Sequence, residues 1–366
     1  MMSMTKDYYE LDPDGDVILV FTTADPDTAN QAPGPNAVPN ESTRPAQVTD
    51  GSVGRSSTSV AGTKVQKFEQ LDNRMTDAPK ATRVVKMRVS SKHLSLASPV
   101  FKKMLHGPWK EAQGLRLGYV EIEMDGQNMD AMLLLMKVIH GYGPDIPRNV
   151  TLAMVVKIST LADYYNCHEV IHLAVQLWIR PLQVGVMMNC DELAQWIWIS
   201  WVFQLTNLFR YATNCAVTYS KGPISTIGLP IPQPVIDAIE KRREQGIKTT
   251  LDSLRRLVSE LRDGRESCSF ECDSFRLGAL TKQLHEKGFL GPVDEGTIPS
   301  ISLYQLNDFL VDIKSPAWRE VTSKRRRNHD QHPGHPCTLQ SLIKPILSNL
   351  TSHMRGYEYA EFKELP

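Results

Sequence analysis

Between residues 82 and 105 the apolar positions change their period. In TRVVKMRV, Val85, Met87 and Val89 alternate with Lys86 and Arg88, the period of two that marks a half-buried strand. After a short polar turn, SLASPVFKKML predicts a helix. Ser98 suits the N-cap, Pro99 suits the first helical position, and Val100, Phe101, Met104 and Leu105 form one apolar face. Upstream, Asp16 to Phe21 is apolar on both faces and predicts a short buried strand. Downstream, Val120, Ile122 and Met124 alternate with Glu121 and Glu123, giving a third strand whose acidic face can meet Lys86 and Arg88.

A run of helices follows. Asn128 caps a segment with Met132, Leu135 and Ile139 on one side, ending before Gly141. Thr151 to Tyr165 aligns Val155, Ile158, Ala162 and Tyr165. His168 to Ile179 is read with Val170, Ala174 and Leu177 as its buried row and Pro181 as its stop. Strands followed by helix pairs predict an α+β fold. Residues 182–366 read as mostly α-helical. Asp191 caps the apolar WIWISWVFQL, and GPISTIGLPIPQP is a Pro-rich break. Leu251, Leu254, Val258 and Leu261 repeat at helical spacing before Gly264, as do Leu277, Leu280 and Leu284 before Gly288. Ser302 and Thr338 cap the last two helices, and Pro345 kinks or restarts the final one.

Composition changes this picture in one place. From Asp25 to Lys80, 25 of the 56 residues are Pro, Gly, Ser, Thr or Asn, and no Leu or Ile appears before Leu71. Such a segment buries too little apolar surface to offset its ordering entropy, so it is expected as a disordered insertion between two strands. The chain has 366 residues, enough for about two domains, and 41 Lys plus Arg balance 41 Asp plus Glu. A neutral molecule has no overall field to draw in nucleic acid, which is not expected as a partner. The N-terminus has no apolar signal core, and the longest apolar run is far too short to span a membrane. An intracellular protein, cytoplasmic or nuclear, is expected.

The candidate chemistry is sparse. DPDGD at Asp12 to Asp16 places its Gly at the fourth position and lacks a closing Glu, so it is read as a turn and not a calcium loop. Cys268, Cys272, His335 and Cys337 are candidate ligands of a structural zinc ion, since zinc favours four Cys or His ligands and a C-x₃-C pair has suitable spacing. The alternative is scattered buried thiols and a His-rich loop. Lys324, Arg325, Arg326 and Arg327 form a short basic run, read as a nuclear import signal, a phosphate-binding patch or a solvated loop. No nucleophile motif, phosphate loop or dinucleotide fingerprint occurs, so the chain is not read as an enzyme.

The strand from Asp16, the strand at Val85, His93, the helix around Ser98-x-x-Phe101 and the trailing Glu111 together resemble the BTB/POZ domain, most closely that of filamentous-fungal proteins. The resemblance covers Tyr9 to Pro181. It implies a small sheet flanked by helical hairpins over residues 1–181, with an insertion at 25–80, followed by a helical region over 182–366. It also implies that Asp16 and His93 form a hydrogen-bonded structural pair pinning strand to helix. The implied function is protein–protein interaction: self-association as a homodimer, or an adaptor role. Interface candidates are Val100, Phe101, Met104 and Leu105. Two alternatives stay open, a substrate adaptor for a cullin ubiquitin ligase and a nuclear, chromatin-associated regulator.

Overall fold

The computed structural model describes residues 7–24, 82–183, 192–264, 269–291, 299–316 and 337–363. The expected insertion from Asp25 to Lys80, the cap at Asp191 and the basic run at Lys324 to Arg327 lie outside these residues.

Four strands form one sheet: β1 (Tyr8–Glu10), β2 (Val17–Ala24), β3 (Thr82–Val89) and β4 (Val120–Glu123), in the order β1-β3-β2-β4. The two long strands pair antiparallel from Val17 against Val89 to Ala24 against Thr82. β4 runs parallel to β2, and β1 runs parallel to β3. The period-two pattern sets the faces. Val17, Leu19, Phe21, Val85, Met87 and Val89 are all buried, as are Val120, Ile122 and Met124. On the opposite face Lys86 reaches past β2 to Glu121, with Nζ 2.8 Å from the carboxylate. Gly15 is required where the chain enters β2, because a Cβ there would stand 2.7 Å from the carbonyl oxygen of Val89.

Helices cover the buried face of the sheet. α1 (Ser91–Ala97), α2 (Pro99–His106) and α3 (Lys110–Arg116) lie between β3 and β4, and α4 (Met129–Ile139), α5 (Leu152–Tyr164) and α6 (His168–Gln183) follow β4. The capping residues read from sequence act as expected. Ser98 and Asn128 each accept a hydrogen bond from a first-turn backbone N–H, and Thr151 does the same at the head of α5 without having been read as a cap. Gly141 takes φ +77°, as a residue just past a helix end does.

Helix α6 departs from the expectation in two ways. Its buried row is Ile171, Val175, Trp178 and Ile179, whereas Val170 and Leu177 are exposed and Ala174 is half-buried. The segment is apolar on two sides, so spacing alone did not separate them; the large Trp178, donating to the carbonyl of Pro147 at 2.7 Å, decides the face. Pro181 also lies inside the helix instead of ending it. The carbonyl its missing N–H would have engaged belongs to exposed Leu177, where water can satisfy it. Pro345 is likewise carried inside the last helix.

The remaining helices are α7 (Leu193–Val202), α8 (Thr206–Tyr219), α9 (Gln233–Arg262), α10 (Phe270–Glu286), α11 (Leu303–Val311) and α12 (Leu339–His353). α7 is buried nearly all round and packs on α5, where the Trp198 indole N–H reaches the Thr160 hydroxyl at 3.3 Å. α9 is 30 residues long, about 45 Å, and α8, α10, α11 and α12 all pack along it. The sheet, its helices and this tail share one apolar core among the described residues.

Candidate interaction surfaces

The polar groups at the head of α1 and α2 hold the fold together. The Asp16 carboxylate accepts two hydrogen bonds from Ser91, from its backbone N–H at 2.7 Å and its hydroxyl at 2.6 Å. Asp16 therefore ties β2 to α1, but through Ser91 and not through the expected partner His93. His93 is exposed, and its ring lies 4.9 Å from that of His140.

His140 is the residue that sequence reading missed. Its Nδ1 is 2.9 Å from the Met136 carbonyl, and its Nε2 lies 3.0 Å from the Ser90 backbone N–H. Only a neutral ring carrying its proton on Nδ1 can serve both partners. Burial lowers its pKa, opposed by the bond to the Met136 carbonyl, and nearby His93 lowers it further. The signal was a His at the C-cap of a strongly apolar helix, where an imidazole can close the last turn.

Ser98 is fully buried and does two jobs. Its Oγ accepts from the Phe101 N–H at 3.1 Å and donates to the Tyr165 carbonyl at 2.5 Å. The Phe101 ring then stacks on Tyr165, with centroids 4.3 Å apart and planes 3° apart. This divides the four expected interface residues. Phe101 and Leu105 are core, at 0% and 2% exposure, while Val100 and Met104 are half-buried at its margin. Burial pushes the neighbouring Cys167 thiol up to about 12, which leaves it an inert packing group.

Apart from Tyr8, Val84 and Tyr164, the exposed large apolar side chains of this half fall at two places. The first is the α1–α3 edge, with Leu96, Trp109, Leu117 and Tyr119 all more than half exposed. These sit on neighbouring elements: Ser95 beside Leu96 bonds His106 at 3.1 Å, and His106 leads through Gly107 to Trp109 at the head of α3. The second is the outer side of α6, with Val170, Leu173 and Leu177.

In the tail, a cavity of about 650 Å³ lies between α8, α9 and the C-terminal segment, lined by Arg210, Arg242, Arg355, Asn214 and Glu358 among others. Its charges hold that segment in place. Arg210 meets Glu358 at 3.3 Å, and Arg242 donates to the Gly356 carbonyl at 2.9 Å while its guanidinium lies 3.5 Å over the Tyr357 ring. Burial, and then Arg242 and Arg355, lower the pKa of His353 beside it.

Of the four expected metal ligands, Cys268 and His335 lie outside the described residues. Cys272 is buried in the first turn of α10, and Cys337 is half-buried just ahead of α12. Among the described residues no three His, Cys, Asp or Glu side chains converge as metal ligands, and no helix is long and apolar enough to cross a membrane.

A four-stranded sheet roofed by helix pairs, with a buried Ser-x-x-Phe helix start, is an α+β fold. A family model for the BTB/POZ domain matches residues 68–180. The chain carries a BTB/POZ domain, a protein–protein interaction module. The matched span begins after β1 and β2, yet both strands complete the same sheet. No curated protein and no solved structure matches the chain.

Proposed function

We propose that the protein is a non-catalytic adaptor that pairs with a second copy of itself through its BTB half and binds a further protein with the surface left free. The observation that supports this most is the placement of exposed apolar side chains. Within residues 68–180, all but Val84 and Tyr164 lie at the α1–α3 edge or along α6, two separate surfaces, as an adaptor needs. The driving force is burial of apolar area, about 25 cal/mol per Å² removed from water. Light scattering on the full chain at roughly tens of micromolar tests the pairing. A mass twice that of one chain is expected; one chain's mass across the whole range refutes it.

The metal belongs to this proposal as a staple for the tail. Cys272 and Cys337 each stand at the N-terminal end of a helix packed on α9, so a zinc ion held by them with Cys268 and His335 would tie α10 to α12. Stoichiometric zinc in the purified protein, with a lower unfolding temperature after chelation, is the expected result. Protein that is metal-free and unchanged by chelator removes the staple and leaves the adaptor reading intact.

A further inference from the structure

Helix α6 has a second row besides the one it buries. Glu169, Leu173, Leu177 and Arg180 recur at spacings of four, four and three residues, all on the side away from Ile171, Val175 and Trp178. At about 100° per residue the four fall within an arc of about 80°, with Val170 at its margin. Leu173 is 70% exposed and Leu177 54%. Glu169 and Arg180 are both exposed, and neither makes an ion pair among the described residues. The row thus reads acid, leucine, leucine, base over about 16 Å of helix.

A row of this kind complements itself when turned end for end. We propose that α6 is the surface through which two copies of this chain pair, antiparallel about a two-fold axis passing between Leu173 and Leu177. The inference rests on the self-association proposed above. In that arrangement Leu173 of one copy packs on Leu177 of the other, and the converse contact follows by symmetry. Glu169 stands six residues from the axis and Arg180 five, so Glu169 of one copy comes level with Arg180 of the other to within about 1.5 Å along the helix. Parallel pairing would set acid against acid and base against base, so the charges choose the orientation. The apolar pair contributes the attraction. A single helix pair buries less than the roughly 800 Å² per partner of a standard interface, which makes the dimer weak and reversible. Its two ion pairs are exposed, so salt weakens it further. The α1–α3 edge stays uncovered for a different protein.

Four variants of the full chain, followed by sedimentation at low salt, test this. All sites are exposed, so each variant is expected to fold as the wild type does, which circular dichroism checks. Leu173→Asp shifts the protein to monomer. Glu169→Arg and Arg180→Glu each place like charges together twice and weaken the dimer about tenfold. Mixing these two single variants restores pairing, because one copy then presents two bases to two acids on the other. The doubly reversed chain, Glu169→Arg with Arg180→Glu, also regains it. If the single reversals pair as tightly as wild type, α6 is not the interface, although self-association stands. If they fall apart and mixing does not rescue them, the Glu169–Arg180 register is wrong. A wild type that stays monomeric overturns both this inference and the self-association beneath it.

Discussion

Replacing Ser98 with Ala should be the most damaging small change in the BTB half. The hydroxyl is the only group removed, and it makes two bonds in a fully buried site. The first caps α2 at the Phe101 N–H, and its loss costs about 1 kcal/mol. The second satisfies the Tyr165 carbonyl at the end of α5, and leaving that carbonyl without the bond costs about 1–3 kcal/mol. Together they amount to about 2–4 kcal/mol, a large share of the roughly 5–15 kcal/mol that stabilises a typical domain. Urea unfolding of the full chain, followed by tryptophan fluorescence, measures it, since Trp178 and Trp198 sit in the shared core. Ser98→Gly separates the two parts. Glycine is nearly as good a cap as serine, so it should recover most of the first cost and none of the second. Ser95→Ala, which removes only a surface bond to His106, is the control and should lie within about 0.5 kcal/mol of wild type. If Ser98→Ala is equally mild, the double role of this hydroxyl is refuted.

Two other outcomes follow from single residues. His140 is neutral in the fold and has a lowered pKa, so the unfolded chain binds more protons than the folded one as pH drops below about 6.5. Stability should therefore fall with pH from that point down to the folded pKa, and His140→Gln should flatten this slope; parallel slopes for the two proteins between pH 7 and 5 would refute it. Gly356 crosses α8 so closely that an added Cβ would meet the Arg210 carbonyl oxygen at 1.9 Å. Gly356→Ala should release the C-terminal segment, seen as faster hydrogen exchange at Tyr357 and loss of its bonds to Thr213 and Ala238; unchanged protection there would show that the backbone can yield.

Where one physical signal dominated, the sequence was readable. The alternation in Val85, Met87 and Val89 sets a face because a one-residue slip would expose all three. The caps at Ser98, Asn128, Ser302 and Thr338 were readable because a short polar side chain before an apolar run has few other uses. α6 was not, because two apolar rows compete on it and only packing against Pro147, α4 and α5 shows which is inside. The same limit applied to Val100, Phe101, Met104 and Leu105: an apolar helix face looks alike whether it meets its own core or another chain. Partner choice was harder still. The structural role of Asp16 came from the BTB/POZ resemblance, but Ser91 and not His93 answers it, and that depends on where α1 turns.

The antiparallel pairing of β2 and β3 brings Ala24 and Thr82 side by side at one end of the sheet. The chain between them leaves and returns at the same spot, so its span transmits no direction to the strands. For any flexible loop closed at such a pair of ends, doubling its length costs about 0.6 kcal/mol, less than one good cap. That end of the sheet is a port: length added there enters and leaves at one rung of the ladder, and the register from Val17 to Val89 does not depend on it.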